Sequence, residues 1–547
     1  MLGHHVAAAK PNILYIMSDD HTYQAIGAYG SRLASLNPTP TLDWLAREGM
    51  RLDRVFCTNS ICSPSRASIL TGQYSQANGV LVLGGALPAA RQALPIGMRQ
   101  AGYQTCVIGK WHLDSEPAFD FYQVLKGQGS YFDPTFFEKG RGAYGNAAEM
   151  LRTTGHSTDV ITDLALDWLK QKRDKTRPFF MCLHYKAPHD NFQYAPRYED
   201  YLKDVRIPEP DNLLVQGRHG SIATRGDQDE LLRYLGGSVG GRNVIRNRSQ
   251  DKELRGTSLT GDALTKESYQ VFLKKYLRCV KGIDDNVKRV FDYLKDAGML
   301  DNTLIVYTGD QGMWLGEHDY TDKRWMYEES MRMPLLVRYP PAIQAGSTSK
   351  ALINNTDFAP TLLDFAGVAP PKSMQGRSIR PILETGKTPE DWRQATYYRY
   401  WYQLTHLFVP AHFGIRSDRY KLIFFYGLAE NGKASIQTPP GWEFYDLDKD
   451  PQEMNNAYDD PANAEIIAKL KKDMLKMREQ YGETDKDHPE IQAVIDTHWN
   501  TTAASKAEAV RISHAAREKF ENQYPAGAAA KGAKRKAAKS AGPNNED

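Results

Sequence analysis

The sequence predicts an α/β protein, with one large, mostly parallel mixed sheet flanked by helices and a smaller C-terminal α+β unit. Three observations predict it. Short apolar runs recur along the first two thirds of the chain, segments with apolar residues at spacings of three and four separate them, and aromatic strand-like pieces replace this alternation after Leu383. With 547 residues the chain is long enough for two such units.

The apolar runs are residues 13–17, 105–108, 179–183, 304–307 and 335–337. Each is nearly continuous, which fits strands buried on both faces. Residues 158–172 and 266–294 carry the helical spacing between them. Residues 204–262 break the pattern, with Gly236-Gly237 and Gly240-Gly241 among many charges, and are expected to form an inserted loop region outside the core. The large unit therefore spans residues 11–383. Strand-like pieces at 397–402, 420–425 and 443–447, followed by an amphipathic helix at 464–481, define the smaller unit at 384–490. Residues 491–547 read as an extension ending in a disordered alanine- and lysine-rich tail.

Composition narrows the function. The formal net charge is +3, and the five Lys or Arg and two acids after residue 526 account for it, which leaves the folded part near neutral. A duplex-binding face, which needs a basic patch on the domain, is not expected. No apolar run reaches the roughly 20 residues of a membrane span. The five cysteines form no CxxC pair, so neither a zinc cage nor a disulfide framework is indicated. Ala7-Ala8-Ala9 resembles the end of a shortened export signal, and a periplasmic or extracellular location is expected.

Four of the apolar runs end in polar groups: Asp19-Asp20, Lys110 with His112, Lys186 with His189, and Asp310-Gln311. In open parallel sheets the ligand crevice lies at the carboxyl ends of strands, so these groups are expected to converge. Three carboxylates and an amide carbonyl make an oxygen-only donor set suited to calcium or magnesium. Lysines and histidines beside it suit an anionic ester, so the inventory points to metal-assisted hydrolysis of a sulfate or a phosphate.

Cys62-Ser63-Pro64-Ser65-Arg66 is followed by Leu70-Thr71-Gly72. Pro64 suits a first helical turn, which places residue 62 at a helix N-terminus where free N–H groups favour an anion. An ordinary cysteine so placed is expected to be an acidified thiolate. This segment resembles the C-x-P-x-R signature of the type I sulfatases, of the alkaline-phosphatase-like superfamily. The resemblance continues through Gly109-Lys110-Trp111-His112, Lys186-Ala187-Pro188-His189, Thr308-Gly309-Asp310-Gln311-Gly312, Glu317-His318 and Asp322-Lys323-Arg324.

The resemblance implies that a formylglycine-generating enzyme oxidises Cys62 to formylglycine, whose hydrate attacks sulfur. It further implies calcium held by Asp19, Asp20, Asp310, Gln311 and the modified Cys62, with Gln311 standing where the family often has asparagine. Arg66 would orient the hydrate, Lys110 and Lys323 would hold sulfate oxygens, His112 would act as base and His189 would protonate the leaving alcohol. Residues 326–330 and 333–337, with the Lys186–His189 segment, look most like carbohydrate sulfatases such as the N-acetylglucosamine-6-sulfatases. A sulfated carbohydrate is the expected substrate, with Lys186, His318 and Arg324 placed to meet the sugar. Trp111 and the aromatic run at 396–402 are alternative stacking surfaces, although the run reads first as a strand. Two rival readings are a phosphonate monoester or phosphodiester hydrolase of the same superfamily and a non-catalytic binder of sulfated glycans.

Overall fold

The computed structural model describes residues 10–525. The basic tail and the Ala7-Ala8-Ala9 segment lie outside the described residues. Eleven strands form the large sheet, and four parallel neighbours make its centre, in the spatial order Thr303–Gly309, Asn12–Ser18, Phe179–Tyr185 and Gln104–Gly109. The Arg332–Arg338 strand joins this centre antiparallel, so the sheet is mixed at its margins. The four central strands extend the predicted apolar runs by a few residues at their ends.

Residues on the Asn12–Ser18 strand alternate between two cores. Ile13, Tyr15 and Met17 pack with the Cys62–Thr71, Ala93–Gln100 and Phe358–Phe365 helices. Leu14 and Ile16 pack on the opposite face, with the Pro40–Arg47, Ser157–Asp167 and Gly261–Asp296 helices. Both faces being covered explains why these strands are apolar throughout. The predicted helix at 158–172 is α-helical to Asp167 and closes in a π turn, Trp168–Lys172.

The smaller unit is a four-stranded antiparallel sheet of Ala395–Tyr400, His412–Ser417, Tyr420–Phe425 and Gly441–Asp446. Tyr397, Phe413 and Leu422 face the Ala464–Tyr481 helix, whereas Tyr398, Tyr400 and Ile423 pack into the core of the large unit. The aromatic run is therefore a buried strand and not a surface for sugar rings. Trp111, at 1 % exposure with its indole donating to the Ser115 carbonyl at 2.8 Å, is likewise a core residue.

Residues 204–262 contain only short elements, as a loop region does, yet they are tied into the molecule. Leu213 and Val239 are buried in the second core, and the Gly237–Ser238 strand pairs antiparallel with Tyr320–Asp322. Glycine at 237 permits that approach, because a Cβ there would press on the Thr321 side chain. Two further helices, Pro489–His498 and Ala503–Gln523, follow, the first of them starting just before the expected boundary at residue 490. Phe520 and Ala516 of the second pack with Leu231, Tyr234 and Leu235, so the helix clamps the same loop-rich segment.

Candidate active site

The strand order brings four carboxyl ends side by side. Asp19 and Asp20 leave the Asn12–Ser18 strand, Lys110 and His112 leave Gln104–Gly109, Lys186 and His189 leave Phe179–Tyr185, and Asp310 and Gln311 leave Thr303–Gly309. Gly109 makes one of these exits possible: its φ is +107°, and a Cβ would strike the His184 carbonyl, to which Lys110 N–H donates at 2.8 Å.

Cys62 opens the Cys62–Thr71 helix and is 1 % exposed. Its Sγ lies 3.4 Å from Asp19 Oδ1 and 3.8 Å from both Lys110 Nζ and Gln311 Nε2. The helix is anchored by its own side chains. Ser63 Oγ donates to the His112 carbonyl at 2.7 Å, Ser65 Oγ donates to the Asp310 carbonyl, and Arg66 donates to the Lys110 carbonyl at 2.8 Å. Arg66 also pairs with Asp310 Oδ2 at 3.0 Å and reaches Asp19 Oδ1 at 3.5 Å. Lys110 pairs with Asp19, and Lys323 pairs with Asp20 at 2.6 Å.

Asp19, Asp20 and Asp310 are each 0 % exposed, and one oxygen from each lies within 4.8 Å of the others. Burial works against their charge. Lys110, His189 and Arg66 overcome it at Asp19, whose carboxyl stays well below the usual range. At Asp20 and Asp310 burial and the neighbouring carboxylates prevail and push the carboxyls up, Asp310 to about 7. Such crowding is what a divalent cation relieves. Gln311 Oε1 is buried with no hydrogen-bond partner, while its amide nitrogen donates to Asp20 Oδ1. Rotation of that amide adds a fourth oxygen to the three carboxylates. The donors therefore fit a hard cation such as calcium.

The cysteine differs from its sequence expectation. Burial and Asp19 outweigh Lys110 and Lys323 and push the Cys62 thiol up to about 12. A helix N-terminus favours a thiolate, but a desolvated site beside a carboxylate does not. The unmodified side chain is a protonated thiol.

His189 has one ring nitrogen, Nδ1, 2.7 Å from the Asp190 carbonyl, which only accepts, so Nδ1 carries the proton. Its Nε2 faces the site, 3.7 Å from Asp20 Oδ2. Burial first, and then Lys323 and Lys110, lower the pKa of His189 well below that of an ordinary imidazole. Burial and Lys110 do the same to His112, whose Nδ1 is buried without a partner. Lys186 lies over the Tyr131 ring at 4.9 Å, its pKa lowered to about 8 by burial and Lys110. Arg324 donates to Asp322 at 2.8 Å and keeps Nη1 buried without a partner. His318 stands apart from this cluster. It is stacked on His219 with centroids 4.0 Å apart, and its Nε2 meets the Gln452 carbonyl at 2.6 Å.

Gln128 is a residue that the motifs do not reveal. Its side-chain oxygen accepts from Lys110 Nζ, so Lys110 is held between Gln128 and Asp19. It sits between Gly127 and Gly129 in the loop after the Phe121–Leu125 strand, and that flanking pair is its sole sequence signal.

Oxygen donors, paired cations and a buried cysteine at a helix N-terminus suit a hydrolase for a tetrahedral anionic ester. A profile of the sulfatase family matches residues 11–368, and one described as N-sulphoglucosamine sulphohydrolase, C-terminal, matches residues 316–480. The chain belongs to the sulfatase family and is a sulfuric ester hydrolase acting on carbohydrate sulfate esters. It is 41 % identical over 518 residues, 88 % of each chain, to N-acetylglucosamine-6-O-sulfatase of Bacteroides thetaiotaomicron. The human N-acetylglucosamine-6-sulfatase is 28 % identical over 408 residues, covering 70 % of this chain and 66 % of that one. A solved structure in complex with its substrate D-glucosamine-2-N,6-O-disulfate superposes with a TM-score of 0.76 at 40 % identity, covering 87 % of this chain and 99 % of that one. The phosphonate monoester hydrolase of Silicibacter pomeroyi shares the fold, with a TM-score of 0.66 at 24 % identity and coverage of 86 % and 96 %.

Proposed function

We propose that this protein removes a 6-O-sulfate from a glucosamine residue of a sulfated glycan, with calcium bound at Asp19, Asp20, Asp310 and Gln311 and formylglycine at position 62. The observation that carries the reading is the joining of Cys62 at a helix N-terminus to three buried carboxylates and the cations Arg66, Lys110 and Lys323. The two relatives named for N-acetylglucosamine 6-sulfate and the glucosamine disulfate of the solved complex support the choice of sugar.

Calcium held by Asp19, Asp20, Asp310 and Gln311 would supply positive charge to the sulfate oxygens. Formylglycine supplies, as its hydrate, a hydroxyl nucleophile that a buried thiol held near 12 does not. The chain's own residues do the rest. Lys110 and Lys323 offer ammonium protons to the sulfate oxygens, contacts of a kind whose removal costs about 3 to 4 kcal/mol of transition-state stabilisation. Arg66, fixed on Asp310, the Lys110 carbonyl and Asp19, holds position 62 in register with the strand ends. His112 takes a proton at the nucleophile, and His189 Nε2 delivers one to the departing sugar oxygen. His189 must be charged to do so; burial and then the lysines keep it neutral, and the sulfate anion opposes the lysine part of that effect.

Chelation followed by cation add-back tests the metal. Turnover of N-acetylglucosamine 6-sulfate should vanish in metal-free protein and return with calcium. Undiminished turnover in demonstrably metal-free protein would exclude the metal. A panel of defined sulfated monosaccharides tests the position, and preferential release from a 2-O-sulfate would exclude the 6-O assignment.

A further inference from the structure

Away from the catalytic cluster, a cavity of about 260 Å³ is lined by Arg51, Arg54, Arg332, Arg416 and Lys350, with Asp53 and Glu328 as its acids and Tyr29 completing the wall. Arg51 and Asp53 alternate along their strand with Met50 and Leu52, which belong to the core beneath the Cys62–Thr71 helix. The cavity's floor thus turns away from that helix.

Most of these cations are spoken for. Arg51 pairs with Asp53 at 2.7 Å, Arg416 with Glu328 at 3.2 Å, and Arg54 with Asp418 at 2.6 Å. Arg332 is different. Its Nε is buried without a hydrogen-bond partner, and its guanidinium rests over the Tyr23 ring at 4.0 Å, which fixes the group without using its protons. Among the described residues neither Arg332 nor the exposed Lys350 forms an ion pair within 4.0 Å, although Glu328 and Asp53 of the same wall act on Arg332 from farther off. Arg332 is half-buried, and a buried guanidinium N–H without an acceptor is costly unless an anion completes it.

We propose that this cavity is a second anion site, in which Arg332 and Lys350 bind a tetrahedral oxyanion. A guanidinium fork and an ammonium suit sulfate, either a sulfate group on a neighbouring residue of the glycan chain or the inorganic sulfate that the reaction releases. The proposal rests on the sulfatase reading for the source of the anion, but its first test does not involve turnover.

Crystals soaked in sodium selenate, an isostere of sulfate with an anomalous signal, should show selenium in this cavity in the wild-type protein. The signal should be lost in Arg332→Gln and weakened in Lys350→Gln, whose exposed side chain leaves folding untouched. No signal in the wild type, or equal signals in all three proteins, would overturn the site whatever the fate of the modification at position 62. A second arm separates the two sources. In a Cys62→Ala background that cannot turn over, a sulfated tetrasaccharide should bind about tenfold more weakly after Arg332→Gln if the glycan is the source, with monosaccharide binding unchanged. Unchanged affinity for both sugars, with selenate binding lost, assigns the site to free sulfate.

Discussion

His189 offers one ring nitrogen to the site, because the Asp190 carbonyl engages the other. A sugar alkoxide is a poor leaving group, whereas an activated phenoxide departs with little help. His189→Ala should therefore lower kcat/KM on a sulfated sugar by about 100-fold to 10,000-fold and affect an activated aryl sulfate far less. Lys110→Ala should impair both, since both substrates present the same sulfate. Equal losses for His189→Ala would remove its role as proton donor. At this scale the sequence was legible where a motif carried the chemistry: Cys62, Arg66, Asp19, Asp20, Asp310, Gln311, Lys110 and Lys323 meet within one cluster. It was not legible where a contact depends on loop placement alone. Gln128 reaches Lys110 from a glycine-flanked turn, and His318 turns instead into a stack on His219.

Helix ends are tied to distant elements in ways that respond to pH. Asp284, on the Gly261–Asp296 helix, accepts from Thr41 N–H and Leu42 N–H at 3.0 Å and so caps the Pro40–Arg47 helix. Burial outweighs those N–H groups and pushes its carboxyl up to about 6. The folded state thus holds this proton more tightly than the unfolded chain, where an aspartate titrates near 4. The contribution favours folding below about pH 4 and is lost as pH rises through about 6, a swing on the order of 2 to 3 kcal/mol. Asp284→Asn should abolish that part of the slope in urea unfolding between pH 4 and 7, and an unchanged slope would assign it elsewhere. Elements with a strong period were readable from the sequence, as the helix expected at 464–481 is Ala464–Tyr481. Ala503–Gln523 was not, because its buried stripe is mostly small residues among alanines, lysines and glutamates, and Phe520 and Ala516 find partners such as Leu231, Tyr234 and Leu235 in a segment distant in sequence.

The two units are joined through buried charge. Lys421, on the C-terminal sheet and 0 % exposed, pairs with Glu453 at 2.7 Å and with Glu328 of the large unit at 3.0 Å. Lys421→Ala leaves those buried carboxylates with less compensation, and the loss should be about 3 to 5 kcal/mol in denaturant unfolding. Because Glu328 lies five residues beyond Lys323, activity should fall with stability, and a variant as stable as the wild type would show that this joint is not structural. The same large sheet serves sulfatases and a phosphonate monoester hydrolase, so the chemistry is set by what stands at its strand ends and not by the fold. At position 62 a buried thiol pushed up to about 12 stands where a nucleophile is needed. Peptide mass spectrometry of the active enzyme, read against its specific activity on N-acetylglucosamine 6-sulfate, tests this most directly. Formylglycine at position 62 in proportion to activity is the predicted result, and full activity from protein whose Cys62 is wholly unmodified would contradict it.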